Sequence, residues 1–136
     1  MKELAVKYFM EGYSCSESIV KAAADKGYIG QEALAIATSF SGGMGVGCLC
    51  GAVAGSQMVI GSMFGRTNER DGKKARALAK EFNTKFAEKY KVNCCKVLSR
   101  GFEFHSPERK LHCSGMVNDC AVILEEIIKT NQEASV

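Results

Sequence analysis

The 136-residue sequence has no tryptophan, one proline and no pair of cysteines in the CxxC spacing. A single proline excludes a proline-rich linker. The missing CxxC removes the thioredoxin-type motif, the zinc knuckle and the CxxCH attachment of covalent haem together. Strand-period alternation is nowhere sustained, so no sheet is expected. Strong charge of either sign is lacking as well. Lys and Arg number 18 against 15 Asp and Glu, and a net +3 is too mild for a general polyanion binder. At 46% hydrophobic residues the chain is too apolar to stay disordered. No signal peptide is readable, because Lys2, Glu3 and Lys7 interrupt the apolar run that such a leader needs. The expected compartment is therefore the reducing cytoplasm, where many cysteines point to metal or redox chemistry more than to crosslinks. Seven cysteines are present, and an odd number cannot be fully paired within one chain.

Charge is also missing locally. No Asp, Glu, Lys or Arg occurs from Ala33 to Gly65. A membrane span needs about 20 consecutive apolar residues, and Ser39, Ser41, Gly42, Gly43, Gly45, Gly47 and Gln57 interrupt this run. It reads as a buried helical hairpin and not as a span. Residues 66–112 carry thirteen Lys and Arg against six acids, and residues 113–136 carry one Lys against four acids.

What remains is helical throughout. Leu4 to Met10 is a short amphipathic helix. Ser14-x-x-Glu17 is a capping box that starts a second helix ending before Gly27. Gln31 to Phe40 is an Ala-rich third helix, and the Gly-rich loop 41–49 leads into a fourth from Cys50 to Phe64. Asn68 or Asp71 caps a fifth running to Tyr90, with Ala75, Leu78, Ala79, Phe82, Phe86 and Tyr90 on one face. Asn93 caps a short helix through Leu98, closed by Gly101, and Ser106-Pro107 is a cap followed by proline at the first helical position. Val117, Ala121, Leu124 and Ile128 mark the core face of the last helix. The expected fold is all-α: a single compact domain over residues 1–136, with six or seven helices around a central glycine-rich helix.

The cysteines fall at helix beginnings on this reading. Cys15 follows the capping Ser14, Cys50 starts the glycine-rich helix, Cys94 and Cys95 follow Asn93, and Cys113 stands near the start of the last helix. A helix N-terminus offers unpaired N–H groups and a partial positive charge, which lower a thiol's pKa and suit an anionic metal–sulfur cluster. Cys50 is accordingly expected to have a depressed pKa and to be alkylated faster than Cys120. The plainer reading is that a free cysteine is a small buried hydrophobe. It is preferred for Cys120 and balanced for Cys48 and Cys94. Gly51 and Gly55 each weaken a helix interior by about 1 kcal/mol against Ala. Close backbone packing and a docked cofactor are equally good compensations. The loop 42–47 lacks the Lys-Ser/Thr and the preceding strand of a phosphate-binding loop. His112, beside Cys113, is a candidate thiol partner or metal ligand, although a lone loop histidine is the commoner case.

The segment Cys50-Gly51-Ala52-Val53-Ala54-Gly55 resembles the CGAxxG motif of the C_GCAxxG_C_C family of redox-active proteins. Phe40-Ser41-Gly42-Gly43-Met44-Gly45 also resembles that family, and the likeness covers nearly the whole chain. Its first cysteine matches Cys15 in Gly12-Tyr13-Ser14-Cys15-Ser16-Glu17-Ser18. Its third matches Cys95, because a C-x-x-L pattern places Leu98, with Cys94 as the rival; its fourth matches Cys113. The resemblance implies a helical domain with a redox role. It extends to the helical domain of split-Soret cytochromes, for which an iron–sulfur site has been proposed. The absence of CxxCH excludes covalent haem here.

Three functions from different classes follow. Foremost is a redox protein, an oxidoreductase or electron-transfer protein, in which Cys15, Cys50, Cys95 and Cys113 bind an iron–sulfur cluster or cycle between dithiol and disulfide, with Gly51 and Gly55 at the cofactor. The alternative is a structural zinc domain, or a packing-only domain without redox activity. A nucleic-acid partner is disfavoured, because the Lys and Arg of residues 66–112 mix with Glu on an ordinary solvated helix face. The expected partner is a redox protein, and a homodimer stays open.

Overall fold

The computed structural model describes residues 1–134, so the last two residues of the expected 1–136 domain lie outside it. Seven α-helices follow one another: α1 Lys2–Met10, α2 Cys15–Asp25, α3 Ala33–Ala37, α4 Gly51–Phe64, α5 Lys73–Tyr90, α6 Cys95–Leu98 and α7 Pro107–Ala134. They form one all-α domain, with no strand among the described residues. A lone antiparallel bridge joins Leu49 to Cys94.

α2 begins where its sequence demands. The Ser14 hydroxyl accepts the Glu17 N–H at 3.3 Å, and the Glu17 carboxylate accepts the Ser14 N–H at 2.9 Å. This reciprocal pair satisfies two orphan donors of the first turn. At α7 the Ser106 hydroxyl accepts the Arg109 N–H at 3.1 Å, one residue ahead of Pro107. The proline's fixed φ suits the first helical position.

α4 is the most deeply buried element. Gly51 to Ser56, Val59, Ile60 and Phe64 are all buried, and the helix packs against α2, α5 and α7. The expected buried hairpin is therefore only half right: α4 lies inside the fold, but residues 33–49 are largely exposed, with Ile36, Met44 and Val46 at the surface, because α3 is short and the glycine-rich stretch forms no second helix to pair with α4. No helix among the described residues is long and apolar enough to cross a membrane. Glycine permits the closest of these contacts. A Cβ on Gly55 would stand 2.7 Å from the Ser16 carbonyl oxygen and 3.0 Å from Ser16 Cα. A Cβ on Gly51 would stand 3.1 Å from Cys15 Cβ. The backbones of α2 and α4 therefore touch where Cys15 and Cys50 sit. Phe82 and Phe86 of α5, and Val117, Ala121, Leu124 and Ile128 of α7, close the core.

Four local expectations are corrected. The third helix stops at Ala37 and tightens into a 3₁₀ turn over Thr38–Phe40 before Ser41 turns extended. α5 starts at Lys73 behind Gly72, although the Asp71 carboxylate still accepts the Lys73 N–H at 3.0 Å. The residue before α6 is Cys94 and not Asn93, whose carbonyl instead accepts the Cys50 N–H at 2.7 Å. The last helix starts at Pro107 and runs unbroken, so Cys113 is its seventh residue and not near its start, and has no helix N-terminus beside it.

Candidate functional site

Cys15, Cys50, Cys95 and Cys113 line one cavity of about 580 Å³. Each arrives on a different element. Cys15 opens α2, immediately after its cap. Cys50 stands at the mouth of α4. The N–H of Cys50 donates to Asn93 O, and the N–H of Cys95 donates to Cys48 O. These two bonds flank the Leu49–Cys94 bridge and clip the start of α4 to the start of α6, which brings Cys50 beside Cys95. Cys113 faces the cavity from α7, with Arg109 one turn before it and Met116 one turn after. The approach of Cys95 also depends on Gly43, where a Cβ would stand 2.9 Å from Cys95 Cβ. Gly43 sits in a left-handed stretch in which Gly42, Gly43, Met44 and Gly45 all have positive φ, a conformation natural to glycine and strained at Met44.

All six pairs among these four thiols are close enough for a charge on one to disfavour ionisation of another. Burial is nevertheless the dominant influence. It pushes the Cys15 thiol well above its ordinary value, and the neighbouring cysteines push it further, with Arg109 opposing. Burial raises Cys113 as well, and Arg109 offsets part of that rise. Cys50 corrects an expectation. The backbone N–H groups of Val53 and Ala52 at the helix mouth lower its pKa, although no cap hydrogen bond to the sulfur is formed. Yet the residue is only 5% exposed, and desolvation of the thiolate outweighs the pull of those N–H groups, so the pKa is raised.

The remaining cysteines do not line the cavity, although Cys120, whose pKa burial raises, lies near enough to Cys50 and Cys15 for their charges to raise it further. Cys120 is fully buried in the core. Cys48 is exposed, and the Cys94 thiol donates to Gly47 O at 3.4 Å and does not line the cavity. His112 is engaged elsewhere: its Nε2 lies 2.7 Å from Leu98 O, and its ring stacks on Phe102. Gly51 lines the cavity, while Gly55 packs one turn deeper against α2.

Sequence reasoning missed Arg109. Its Nη2 donates to Cys95 Sγ at 3.7 Å, and its guanidinium lies 4.8 Å from the Phe104 ring centre. The signal was available in the i, i+4 spacing of Arg109 and Cys113 within one helix.

Metal groups differ in the donor geometry they need. A single zinc gathers four sulfurs within about 2.3 Å of one point. Among the described residues no three His, Cys, Asp or Glu side chains are gathered in that way. A [4Fe–4S] cluster gives each thiolate its own iron and a [2Fe–2S] cluster shares each iron between two, so in both the four ligands surround a larger centre than a single ion. Four free thiols around one cavity fit that requirement.

A family model described as "Putative redox-active protein (C_GCAxxG_C_C)" matches residues 13–127. Comparison with curated proteins and with solved structures gave no match.

Proposed function

The chain belongs to the C_GCAxxG_C_C family, and from that premise we propose that it is an electron-transfer protein whose Cys15, Cys50, Cys95 and Cys113 hold an iron–sulfur cluster. Family membership supports a redox role in general. The observation that carries the finer reading is the convergence of four unpaired thiols, from four separate helices, on one cavity. Such a cluster supplies a centre that takes up and releases single electrons.

The chain's own residues prepare the cavity in three ways. Burial keeps the empty thiols neutral, so ligation must release their protons. The N–H groups of Val53 and Ala52 at the mouth of α4 favour a ligating thiolate at Cys50. Arg109 sets a fixed positive charge against Cys95 and Cys113, which offsets the negative charge of a thiolate-ligated centre.

Dithiol–disulfide cycling is the second reading, and one observation favours it. Cys95 is half-buried, with the Arg109 guanidinium on its sulfur, so a partner disulfide could reach it. It is weaker for the set as a whole, because Cys15, Cys50 and Cys113 are all held towards the unreactive neutral thiol.

Anaerobic purification or reconstitution with iron and sulfide tests the proposal. The expected result is a visible charge-transfer spectrum with matching iron and sulfide content. It should be lost when any one of the four cysteines is changed to serine and kept in Cys48→Ser and Cys120→Ser. Stoichiometric zinc without iron, or a native disulfide among the four as the stable product, would overturn it.

A further inference from the structure

We propose that the open mouth of the cysteine cavity is the docking face for an acidic redox-partner protein. The proposal rests on the reading of that cavity as the redox centre.

Two properties of the mouth point to a protein partner. The first is apolar exposure. Of the nine exposed large hydrophobic residues, Phe104 lines the mouth, and Met44, Val46 and Phe102 stand on the two loops, 42–47 and 101–106, that contribute Gly42 and Phe104 to it. Phe104 is 67% exposed. Scattered exposed apolar residues need no explanation, but a concentration beside a cavity, rimmed by charge, marks an interaction site. The second property is the sign of that charge. A second cavity opens beside the first and shares Ser41, Gly42, Cys95, Ser99, Phe104 and Arg109 with it. Lys96 and Arg100 line the second cavity, Lys110 lines the first, and Arg109 lines both. None of the four makes an ion pair among the described residues, where the four pairs formed involve other cations.

Few carboxylates line the mouth itself. Glu17 is the one carboxylate lining either cavity among the described residues. Its oxygens already accept the Ser14 N–H and the Thr38 hydroxyl. Glu103 and Glu108 stand on the same stretch of chain but line neither cavity. A partner presenting carboxylates around an apolar centre would therefore complement the face. The four cations would steer its approach, and the exposed phenylalanines would be covered on contact. Phe104 and Arg109 lie against each other over the mouth, so a docked partner would lie next to the half-buried Cys95.

The test uses a fluorescently labelled acidic plant-type [2Fe–2S] ferredoxin as probe, with anisotropy as readout, on both unloaded and iron–sulfide-loaded protein. Binding should weaken at least about tenfold between low and moderately high salt, and by about as much in Arg100→Glu/Phe104→Ser. Lys73→Glu/Lys80→Glu reverses charge on exposed positions of α5 that line neither cavity and should stay within about twofold of the unchanged protein. No binding at low salt, or equal weakening by both variant pairs, overturns the proposal. Tighter binding of a single-stranded oligonucleotide, lost in the mouth variant, overturns it in favour of nucleic acid. A dimer of the chain that the mouth variant dissociates in sedimentation overturns it in favour of self-association. The visible spectrum is recorded separately. Binding without loading sinks the iron–sulfur reading and leaves an acidic-protein face, and loading without binding sinks the docking face alone.

Discussion

A buried cysteine and an exposed one differ more in reactivity than two cysteines at different helix positions. Cys50 shows this most directly, since a helix mouth lowers its pKa and burial raises it further than the mouth can lower it. Iodoacetamide mapping of the unloaded native protein should therefore find Cys48 first and Cys15, Cys50 and Cys120 last. Prompt labelling of Cys50 ahead of Cys48 would contradict the burial argument. Sequence could place Cys50 at a helix start, because the Gly-Ala segment and the charge-free run are local signals. It could not supply the desolvation, which comes from α2, α6 and α7 closing over the sulfur. Glu17 gives a second test at this scale. Burial raises its carboxyl pKa, but the Thr38 hydroxyl and the Ser14 N–H and hydroxyl outweigh burial and hold it below the ordinary value of 4.5. A carboxyl whose pKa is lower folded than unfolded adds stability above its unfolded pKa. That stability is lost as pH falls through the folded pKa. Glu17→Gln should lower stability at neutral pH by up to about 1 kcal/mol. The gap from the parent protein should close as the pH falls below about 4 in urea titrations. A constant gap from pH 7 to pH 3 would show that the capping carboxylate acts by shape and not by charge.

At the scale of helices, the glycines of α4 make opposite predictions at two positions. Gly55 meets the Ser16 backbone, and an added Cβ would sit 2.7 Å from a carbonyl oxygen that cannot swing aside. Ala is the better helix former by about 1 kcal/mol, but forcing α2 away from α4 should cost more, about 1–3 kcal/mol. Gly55→Ala should then be destabilised and should lose iron loading, since Cys15 and Cys50 ride on the two helices being parted. Gly61 lies on the same helix with nothing within 4 Å of an added Cβ. Gly61→Ala should be stabilised by up to about 1 kcal/mol and should load normally. Equilibrium urea unfolding with iron analysis reads both, and equal stabilisation of the two variants would refute the packing account. The helices themselves were legible, because capping boxes, proline at a helix start and 3.6-residue periodicity are encoded within a few residues of each other. The break at Ala37, the continuous α7 and the left-handed stretch at Gly42 to Gly45 were not. Each is decided by contacts between elements. The cysteine order pointed to a set, but the clip between residues 48–50 and 93–95 that aligns two of its members is a non-local pairing.

For the whole molecule, the cavity joins parts of unequal stability. α2, α4 and α7 contribute most of the core, whereas α6 has no buried residue and packs mainly on the glycine-rich stretch Gly43–Gly47. The third thiol, Cys95, is thus held by the weakest part of the structure, and the other three by the strongest. Segments with few buried contacts open locally at far lower free energy than the core. Hydrogen exchange on the unloaded protein should find residues 95–106 exchanging long before α4 and the core half of α7. A ligand that binds only the assembled cavity stabilises whatever must be ordered to form it. Reconstitution with iron and sulfide should therefore slow exchange most at residues 95–98 and at the first turn of α2, and little in the already protected core. Cys95→Ser removes the sulfur while leaving the backbone clip to Cys48 in place, so it should abolish that slowing in α6. If residues 95–98 of the unloaded protein were as protected as α4, or if loading slowed exchange equally everywhere, α6 would be a fixed wall of the site. In that case the cavity would be preformed rather than completed by what it binds.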